Sequence, residues 1–403
     1  DAVFKIEEEN LTEESAQELL KEAGAIIKSG GLVAFPTETV SGLGGDALNP
    51  EASGKIYAAK GRPSDNPLII HICKLEDITK IVSDFPENAR RLAEEFWPGP
   101  LTMVLPKADI VPKQTTGGLD TVAVRMPVDP TALAFIEAAG GYVAAPSANV
   151  SGRPSPTEAK YVVEDMNGRI EMILDDGDVE IGIESTIVDL TGEVPMLLRP
   201  GFITLTMLQD VLGHVEVDKT ILDGDCLDKP KAPGMKYKHY APKGELTIVT
   251  GEADAVITRI NEFAEEAISR GEKTGIIATD ETMEQYRAHS VKSAGKRSDE
   301  VSIARNLYRI LREFDDEGIT VILITHFMEE AAEAERVVVM HDGKVLLDGT
   351  PAEVFSQRQL LQSVNLDIPL AVEIAARLRE KGIDVPKHII STEEMVEFLC
   401  QYR

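Results

Sequence analysis

The chain has 403 residues, of which 43% are apolar and 27% are charged, and its formal net charge is −28. The length predicts two or three domains with ordinary cores, while the acidity argues against a protein whose main task is to bind nucleic-acid phosphates. No run reaches the roughly 18 apolar residues of a membrane span, the acidic start is unlike a secretory signal, and three scattered cysteines predict reduced thiols in a cytoplasm.

The first predicted elements are a helix, a strand and a polar turn. Residues 11–29 carry apolar side chains at helical spacing, and Gly30-Gly31 ends this helix. The apolar run Leu32–Phe35 predicts a buried strand, and Thr37-Glu38-Thr39 follow at its carboxyl end, where open α/β sheets bind ligands. The glycines at 42, 44 and 45 then predict a turn or a close approach of the backbone to another group.

A basic segment is predicted to reach the same edge of the sheet. A helical pattern through residues 52–59 ends at Lys60-Gly61-Arg62, and the apolar run Leu68–Ile72 returns to the sheet with His71. Two hydroxyls, two cations and a histidine would therefore meet at one rim, which suits an anionic ligand that also has hydroxyl or amino groups. The alternative is a glycine-rich turn beside a solvated basic helix end.

Helices and strands alternate to about residue 200, which indicates an α/β domain. The predicted helices are 77–82, 88–96, 130–139 and 156–166, the last capped by Ser155 or Thr157, and the predicted strands are 101–105, 121–125, 141–145, 170–174, 185–190 and 196–198. Asp175–Asp178 is predicted to be an exposed turn rather than a metal site. Residues 213–244 are a predicted linker, whose aromatic run Lys236–Tyr240 we expect to pack back over the first domain's site.

A second, smaller α/β pattern follows the linker. Its predicted strands are 246–249 and 273–278, and its predicted helices are 253–270, 282–288 and 302–315. The sequence thus predicts a first domain over 1–212, a linker over 213–244, a Rossmann-like domain over 245–325 and a tail over 326–403.

Nine short blocks of sequence follow one another along the first part of the chain. They are PTETVSGLGG, KGRPSDNPLIIHI, WPGPLT, DTVAVRMP, APSAN, SGRPSPT, ESTI, LRPG and APGMKYKHYAP. Over about residues 1–323 the chain resembles the YrdC-like family of threonylcarbamoyl-AMP synthases, in the two-domain form with the KYKHYAP linker. The resemblance implies a twisted open sheet in the first domain and a smaller Rossmann-like second domain. Ser41 departs from it, because the family usually has an aromatic residue there.

The resemblance also implies an activity. The family joins L-threonine, bicarbonate and ATP into threonylcarbamoyl-adenylate, releases pyrophosphate, and passes the product to a transferase that modifies the adenosine beside the anticodon of tRNA. Mg²⁺ is expected with ATP, held largely by phosphate oxygens and water. The implied catalytic residues are Lys60 and Arg62; the implied ATP-binding residues are Arg62, Asn66, Thr121, Ser147, Ser155, Arg199 and Tyr237; and the implied threonine-binding residues are Thr39, His71, Arg125, Ala145 and Ser185.

The chemistry of these residue types fits such a reaction. Fixed cations stabilise a triphosphate as pyrophosphate leaves, and a guanidinium such as Arg125 binds a carboxylate with two hydrogen bonds. Each residue also has a structural interpretation: His71 as a satisfied core histidine, Arg125 as a surface ion-pair partner, and Ser185 as a turn cap. An RNA-binding YrdC-like module without synthase activity is the alternative function. Carbamoyl transfer from carbamoyl phosphate is a further alternative, but the chain lacks the cysteine pattern of those relatives.

The tail resembles a different family. From Ile319 the text ITVILITHFMEEAAEAERVVVMHDGKVLLDGTPAEVF resembles the C-terminal part of an ABC-type ATPase of energy-coupling-factor transporters, in which His326 would contact the nucleotide's γ-phosphate. Yet the chain has no G-x-x-x-x-G-K-[ST] loop, no LSGGQ signature and no acidic Walker B strand, so we predict no ATPase site. Asp342-Gly343 predicts a hairpin between 337–340 and 344–347.

Overall fold

The structure is a computed structural model, and it divides into two compact units. It describes residues 2–5, 11, 13–218, 242–251, 253–327, 337–341, 344–357, 360–361, 370–380, 385–386, 389, 395 and 398. The first unit comprises residues 1–241 with Val301–Arg312, and the second comprises residues 242–300 with residues 313–403. Most of the predicted linker, including Tyr237 and the whole run Lys236–Tyr240, lies outside the described residues. The predicted domain boundaries stay predictions.

One mixed sheet organises the described part of the first unit. Its strands are β1 (Ala2–Lys5), β2 (Val33–Phe35), β3 (Gly42–Asp46), β4 (Ile69–His71), β5 (Leu101–Pro106), β6 (Thr121–Arg125), β7 (Val143–Ala144), β8 (Met172–Asp175), β9 (Thr186–Asp189), β10 (Met196–Arg199) and β11 (Glu216–Val217). They lie in the order β1-β8-β2-β3-β7-β4-β6-β5-β9-β10-β11.

The helices of this unit cover both faces of the sheet. They are α1 (Glu14–Lys28), α2 (Pro50–Lys60), α3 (Ile78–Ile81), α4 (Glu87–Phe96), α5 (Pro130–Ala138), α6 (Ala159–Met166) and α7 (Leu205–Leu212). Successive side chains of a strand point to opposite faces, and β2 shows the result. Val33 and Phe35 pack with α1 and α5, whereas Ala34 packs in a separate cluster with residues of α2, α4 and α6.

The register of the central strands brings their polar ends together. β4 and β6 are parallel, and His71 lies opposite Arg125 at their carboxyl ends. β5 runs antiparallel to β6, so its amino-terminal residue Thr102 also lies opposite Arg125. β9 is parallel to β5 and places Ser185, which precedes Thr186, at the same rim. Polar groups from several strands therefore meet at one rim, and His71 is there as predicted.

The glycine-rich run after the first strand is a strand rather than a turn. Gly42–Asp46 pairs antiparallel with β2, and its end pairs with β7. Its glycines are needed for packing, because an added Cβ at Gly44 would come within 2.9 Å of Val143, and one at Gly45 within 3.0 Å of Ile56. The close approach expected at these positions is made to neighbouring strands and to α2.

Other differences from the predicted elements are short. The helix predicted over 156–166 begins at Ala159, and its N-cap is Glu158, with no side-chain hydrogen bond from the cap. Ser155 and Thr157 therefore do not cap it. The predicted helix 77–82 is split into a 3₁₀ turn over Leu75–Asp77 and α3. β1, α7 and β11, which have four, eight and two residues, were not predicted.

The second unit contains a parallel four-stranded sheet. Its strands are β12 (Glu245–Gly251), β13 (Thr274–Ala278), β14 (Ser290–Ser293) and β15 (Val321–Phe327), in the order β12-β15-β13-β14, and its long helix is α8 (Ala253–Ser269). Each pair of neighbouring strands in this sheet is parallel, which fits the predicted Rossmann-like α/β class. A further helix, α9 (Glu300–Glu317), carries the segment Val301–Arg312 that belongs to the first unit.

The described part of the tail holds a hairpin and two helices. β16 (Val337–His341) and β17 (Lys344–Gly349) pair antiparallel, which confirms the predicted hairpin. α10 (Pro351–Ser356) begins with a capping box between Thr350 and Glu353, and α11 (Leu370–Glu380) follows. Within the described part of the chain, no helix combines the length and the apolar character needed to cross a membrane.

Candidate active site

A pocket with an empty volume of about 520 Å³ opens at the polar rim of the first unit. Its lining combines hydroxyl, guanidinium, imidazole and carboxylate groups with apolar residues, namely Thr37, Thr39, Val40, Gly42, Arg62, Ile69, His71, Arg125, Pro146, Ser147, Glu184, Ser185 and Arg199.

Arg125 is oriented in this pocket by two neighbours on the β2–β3 turn. Its Nη1 donates to Thr39 Oγ1 at 2.8 Å, and its Nη2 donates to Glu38 at 2.5 Å. Thr39 is held in turn by Thr37, whose hydroxyl lies 3.0 Å away. A guanidinium has five N–H donors, so these two bonds leave Arg125 able to bind a carboxylate as well. Its Nε is buried and has no hydrogen-bond partner among the described residues.

His71 is neutral under physiological conditions. Its side chain is buried, and its Nδ1 lies 3.2 Å from the Ile69 carbonyl oxygen. Burial first, and then the positive charge of Arg125, lower the pKa of His71 to about 3. The imidazole therefore adds polarity to the pocket wall without adding a charge.

Arg199 and Ser185 form a second fixed unit of the wall. The Arg199 Nε and Nη2 donate to the Ser185 carbonyl oxygen at 3.0 and 2.8 Å, and Nη2 also reaches the Ser185 hydroxyl at 3.1 Å. The Ser185 hydroxyl lies 2.8 Å from the Thr102 hydroxyl. The serine is thus fixed on two sides, and it positions a guanidinium that lines the pocket.

Lys60 ends α2 but points into the protein. Its Nζ donates to the Ser147 carbonyl, to the Asn149 carbonyl at 2.6 Å and to Asn149 Oδ1 at 3.3 Å. These contacts use the three N–H groups of an ammonium. Burial, followed by the Arg62 charge, holds the pKa of Lys60 well below its ordinary value. In this arrangement Lys60 holds the turn that carries Ser147, and Lys60 itself is not part of the pocket lining.

Arg62 follows the left-handed residue Gly61, whose φ of 61° ends α2. Its Nη2 donates to the Pro67 carbonyl at 3.0 Å, and the side chain lines the pocket while remaining only 8% exposed. Asn66 is buried beside it, and Asn66 Oδ1 has no hydrogen-bond partner among the described residues. A buried acceptor of this kind is costly to leave unsatisfied, and a ligand donor would satisfy it.

Ser155 and Glu184 meet behind the pocket. The Ser155 hydroxyl donates to Glu184 Oε1, and the Tyr308 hydroxyl donates to Glu184 Oε2 at 2.8 Å. Ser155 is fully buried, whereas Glu184 reaches the pocket lining. A carboxylate therefore faces the pocket between two neutral donors.

The structure brings seven of the predicted site residues into the pocket lining. They are Thr39, Arg62, His71, Arg125, Ser147, Ser185 and Arg199. Ser155 and Asn66 lie behind it, and Ala145 donates its backbone N–H to Ile69 at 2.9 Å beside the floor. Thr121 begins β6, four residues before Arg125, which is about 13 Å along an extended strand. The roles assigned to all of these residues remain predictions, and Tyr237 lies outside the described residues.

Four polar residues in or beside the pocket were not among the predicted site residues. Thr37 and Glu184 line the pocket, Glu38 pairs with Arg125, and Thr102 lies against Ser185. Thr37 and Glu38 stand in the PTETV block, and Glu184 stands in ESTI. The signal was therefore present as polar groups near strand ends, but the partners of Glu38 and Thr102 are more than 80 residues away in sequence.

Three guanidinium groups, several hydroxyls and a neutral imidazole converge on one space. Such a site binds a ligand with several anionic oxygens and with donors or acceptors between them. Within the described residues, no three His, Cys, Asp or Glu side chains are grouped so as to hold a metal ion. Binding and positioning are the chemistry that this arrangement supplies.

Comparisons with known proteins divide the chain into three matched parts. Residues 25–201 match the Sua5, YciO and YrdC family model, described as telomere recombination. Residues 203–338 match the C-terminal domain of threonylcarbamoyl-AMP synthase, and residues 369–403 match the C-terminal domain of the energy-coupling factor transporter protein EcfA1.

Similar whole proteins agree with the first two matches. The chain is 48% identical over 314 residues to the threonylcarbamoyl-AMP synthase of Pyrococcus abyssi, which covers 78% of this chain and 90% of that protein. The chain belongs to the threonylcarbamoyl-AMP synthase family. The family's Bacillus subtilis member is 45% identical over 309 residues, covering 76% of this chain and 88% of its own length. The synthase family consists of enzymes of the nucleotidyltransferase type, and the chain is one of them.

A solved structure of a synthase-family member shares the fold. The crystal structure of Pyrococcus abyssi Sua5 complexed with L-threonine superposes with a TM-score of 0.75 at 45% identity, covering 81% of this chain and 92% of that one. This confirms the predicted α/β class and two-domain architecture.

The tail has a different relative. Over 86 residues the chain is 59% identical to the EcfA1 ATP-binding protein of Caldanaerobacter subterraneus, and this covers 21% of this chain. The match spans only 31% of that transporter protein. The predicted resemblance of the tail is confirmed.

Proposed function

We propose that this chain condenses L-threonine, bicarbonate and ATP into threonylcarbamoyl-adenylate and releases pyrophosphate. The observation that supports this most directly is the convergence of Arg62, Arg125 and Arg199 on one pocket with Ser147 and Ser185. A crystal structure of a family member at 45% identity is described as a complex with L-threonine. Guanidinium groups bind both carboxylates and phosphates, which are the two anionic parts of the substrates.

Within this proposal, the Arg125 side of the pocket receives threonine. Arg125 binds the carboxylate, while Thr39, His71, Ser185 and the Ala145 backbone supply hydrogen bonds to the amine and hydroxyl. A neutral His71 suits this role, because a protonated imidazole would compete with Arg125 for the carboxylate. The carbamate forms when the threonine nitrogen joins bicarbonate carbon with loss of water.

The Arg62 and Arg199 side receives ATP. Arg62 and Arg199 stabilise the negative charge that develops on pyrophosphate as the carbamate oxygen attacks the α-phosphorus. Asn66, Thr121, Ser147, Ser155 and Tyr237 are the further proposed contacts to the nucleotide. Lys60 contributes by holding Ser147 in place. No covalent enzyme intermediate is needed, so the rate enhancement comes from orientation and preorganised charge.

Mg²⁺ is proposed to enter with ATP. Its ligands would be mainly phosphate oxygens and water, as Mg²⁺ prefers, and the Glu184 carboxylate at the pocket wall is a hard oxygen group that fits this ion. The ion would neutralise part of the triphosphate charge. The product is proposed to pass to a transferase that modifies tRNA, in a cytoplasm, without strong direct binding of nucleic acid by this chain.

One assay tests the proposal. Purified full chain is incubated with ATP, Mg²⁺, L-threonine and bicarbonate, and with each component omitted in turn. We expect pyrophosphate release only in the complete mixture, together with a mass-spectrometric peak of threonylcarbamoyl-adenylate. Pyrophosphate release that does not depend on threonine would contradict the proposal. RNA retention in a gel shift without product formation would favour the binding-module alternative instead.

A further inference from the structure

Tyr308 lies far along the chain from the pocket blocks but contacts one of the pocket's groups. Its hydroxyl donates to Glu184 Oε2 at 2.8 Å, and its side chain is 8% exposed. The other carboxylate oxygen of Glu184 accepts from Ser155. Both hydrogen bonds to this pocket carboxylate therefore come from neutral hydroxyls, one of which is supplied by α9.

The α9 segment Val301–Arg312 is fixed against the first unit at several points. Arg312 and Asp165 form an ion pair at 2.8 Å in which both side chains are fully buried. The Arg312 Nε also donates to the Pro154 carbonyl at 3.0 Å. Gly182, with φ of 82°, leaves no room for a Cβ beside the Arg305 backbone. Tyr308 is thus placed between two anchored points of its helix.

The same segment reaches the loop that carries the proposed nucleotide contacts. Asp165, the partner of Arg312, also accepts the Val150 backbone N–H at 3.0 Å and pairs with Arg153. Asn149 donates to the carbonyls of Val150 and Arg153, each at 2.9 Å. Loop 147–155 is therefore held by Lys60 on one side and by α9 on the other.

We propose that Tyr308 is a positioning residue of the pocket: its hydroxyl fixes the Glu184 carboxylate, and through it Ser155, for the nucleotide. The inference rests on the proposed function, since it assigns this part of the wall to ATP. Hydroxyl donors hold a carboxylate in place without a compensating positive charge. If it swings toward the phosphates, it repels them, whereas a fixed carboxylate can face the Mg²⁺ that accompanies ATP.

The test removes one oxygen atom. Tyr308→Phe keeps the ring that packs on the first unit, so we expect an unchanged unfolding temperature and a KM for MgATP raised about tenfold, as for loss of a hydrogen bond to a charged group. The KM for threonine should stay within about twofold, because the Tyr308 hydroxyl donates to Glu184, which the proposal assigns to the nucleotide side of the pocket. The matched control is Tyr286→Phe, which removes the hydroxyl of a tyrosine buried in the second unit's core.

A double-mutant cycle separates positioning from general structural support. Without the carboxylate, the tyrosine hydroxyl has nothing to position, so Tyr308→Phe should change the KM for MgATP less than about twofold in a Glu184→Ala background. Calorimetric titration of MgATP provides the same comparison without turnover. Equal losses in both backgrounds, equal effects on threonine and ATP, or wild-type values in Tyr308→Phe would each overturn the inference. If the unaltered chain forms no threonylcarbamoyl-adenylate, the proposed function itself fails.

Discussion

Arg125 and Glu38 form a buried ion pair in which their side chains are only 5% and 2% exposed, with 2.5 Å between Nη2 and Oε1. Glu38 also lies 3.3 Å from the Val128 backbone N–H, which donates to its second oxygen. The arginine is therefore oriented before any substrate arrives, and its charge is partly compensated. A carboxylate ligand meets a preorganised fork rather than a mobile side chain.

Removing the acidic partner should destabilise the fold. Glu38→Ala leaves Arg125 as a buried charge without its ion pair, and breaking a buried pair in this way costs about 3–5 kcal/mol of unfolding free energy. Urea denaturation of the full chain measures this loss. The control is Glu137→Ala, which breaks the surface pair with Lys74, whose side chains are 62% and 50% exposed; it should cost at most about 1 kcal/mol. Equal losses in the two variants would contradict the prediction.

His71 should make stability depend on pH. The unfolded chain takes up a proton on this imidazole near pH 6.5, whereas the folded protein does so only near pH 3. Between these values the unfolded state binds more protons, so stability falls as the pH is lowered, by up to about 1.4 kcal/mol per pH unit. Above about pH 6.5 the contribution of His71 to the unfolding free energy no longer changes with pH. Because carboxylates also titrate below about pH 4.5, the useful window is pH 4.5 to 6.5.

The variant His71→Gln isolates this contribution. We expect a flatter dependence of unfolding free energy on pH between 4.5 and 6.5, measured by urea denaturation at several pH values. His214→Gln is the control, because that side chain is 73% exposed and should leave the slope as it is. An unchanged slope in His71→Gln would mean that the imidazole can accept a proton inside the fold.

Arg62 should matter for chemistry far more than for stability. Arg62→Ala removes one preorganised charge from the pocket, which usually costs about 2–4 kcal/mol of transition-state stabilisation. We therefore expect kcat/KM for threonylcarbamoyl-adenylate formation to fall about 30- to 1000-fold. Lys80→Ala, at a side chain that is 66% exposed, should stay within twofold. Activity of Arg62→Ala close to that of the unaltered chain would make Arg62 a structural residue.

His326 should be dispensable for nucleotide turnover. Its backbone lies in β15, and the chain has no G-x-x-x-x-G-K-[ST] loop to hold a second nucleotide. His326→Ala should therefore leave pyrophosphate release unchanged, and the unaltered chain should release no phosphate from ATP when threonine is absent. Threonine-independent hydrolysis that disappears in His326→Ala would reveal a working transporter-type site.

The regular elements and the rim were predictable because they rest on periodicity. Apolar runs such as Leu68–Ile72 gave the buried strands, and polar residues after them gave the rim. Gly42–Asp46 was missed as a strand because glycine is unfavourable in strands, and its identity is set by crowding from Val143 and Ile56. That crowding exists only once the sheet is assembled.

The partners of the site residues were not predictable from the sequence. Periodicity places Arg125 at a strand end, but it does not reveal that Glu38 is its partner, because the two are 87 residues apart. Lys60 illustrates the same limit. A lysine at a helix end beside an arginine indicates either a cation that binds phosphate or a solvated helix end. The Lys60 side chain instead turns inward to three oxygen atoms. The direction of the Lys60 side chain depends on the hydrogen-bond acceptors of residues 147–149, which are distant in sequence.

Because Lys60 points inward, its chemical labelling would report when the turn 147–149 opens. Acylating reagents attack the uncharged amine of exposed lysines. The Lys60 amine is covered by Ser147 and Asn149, while most other lysine side chains that the structure describes lie at the surface. Labelling of this one side chain therefore requires the turn to lift away from α2. Time-resolved mass spectrometry of its peptide would read the opening rate of the pocket wall directly, and bound substrates should slow that labelling relative to the surface lysines.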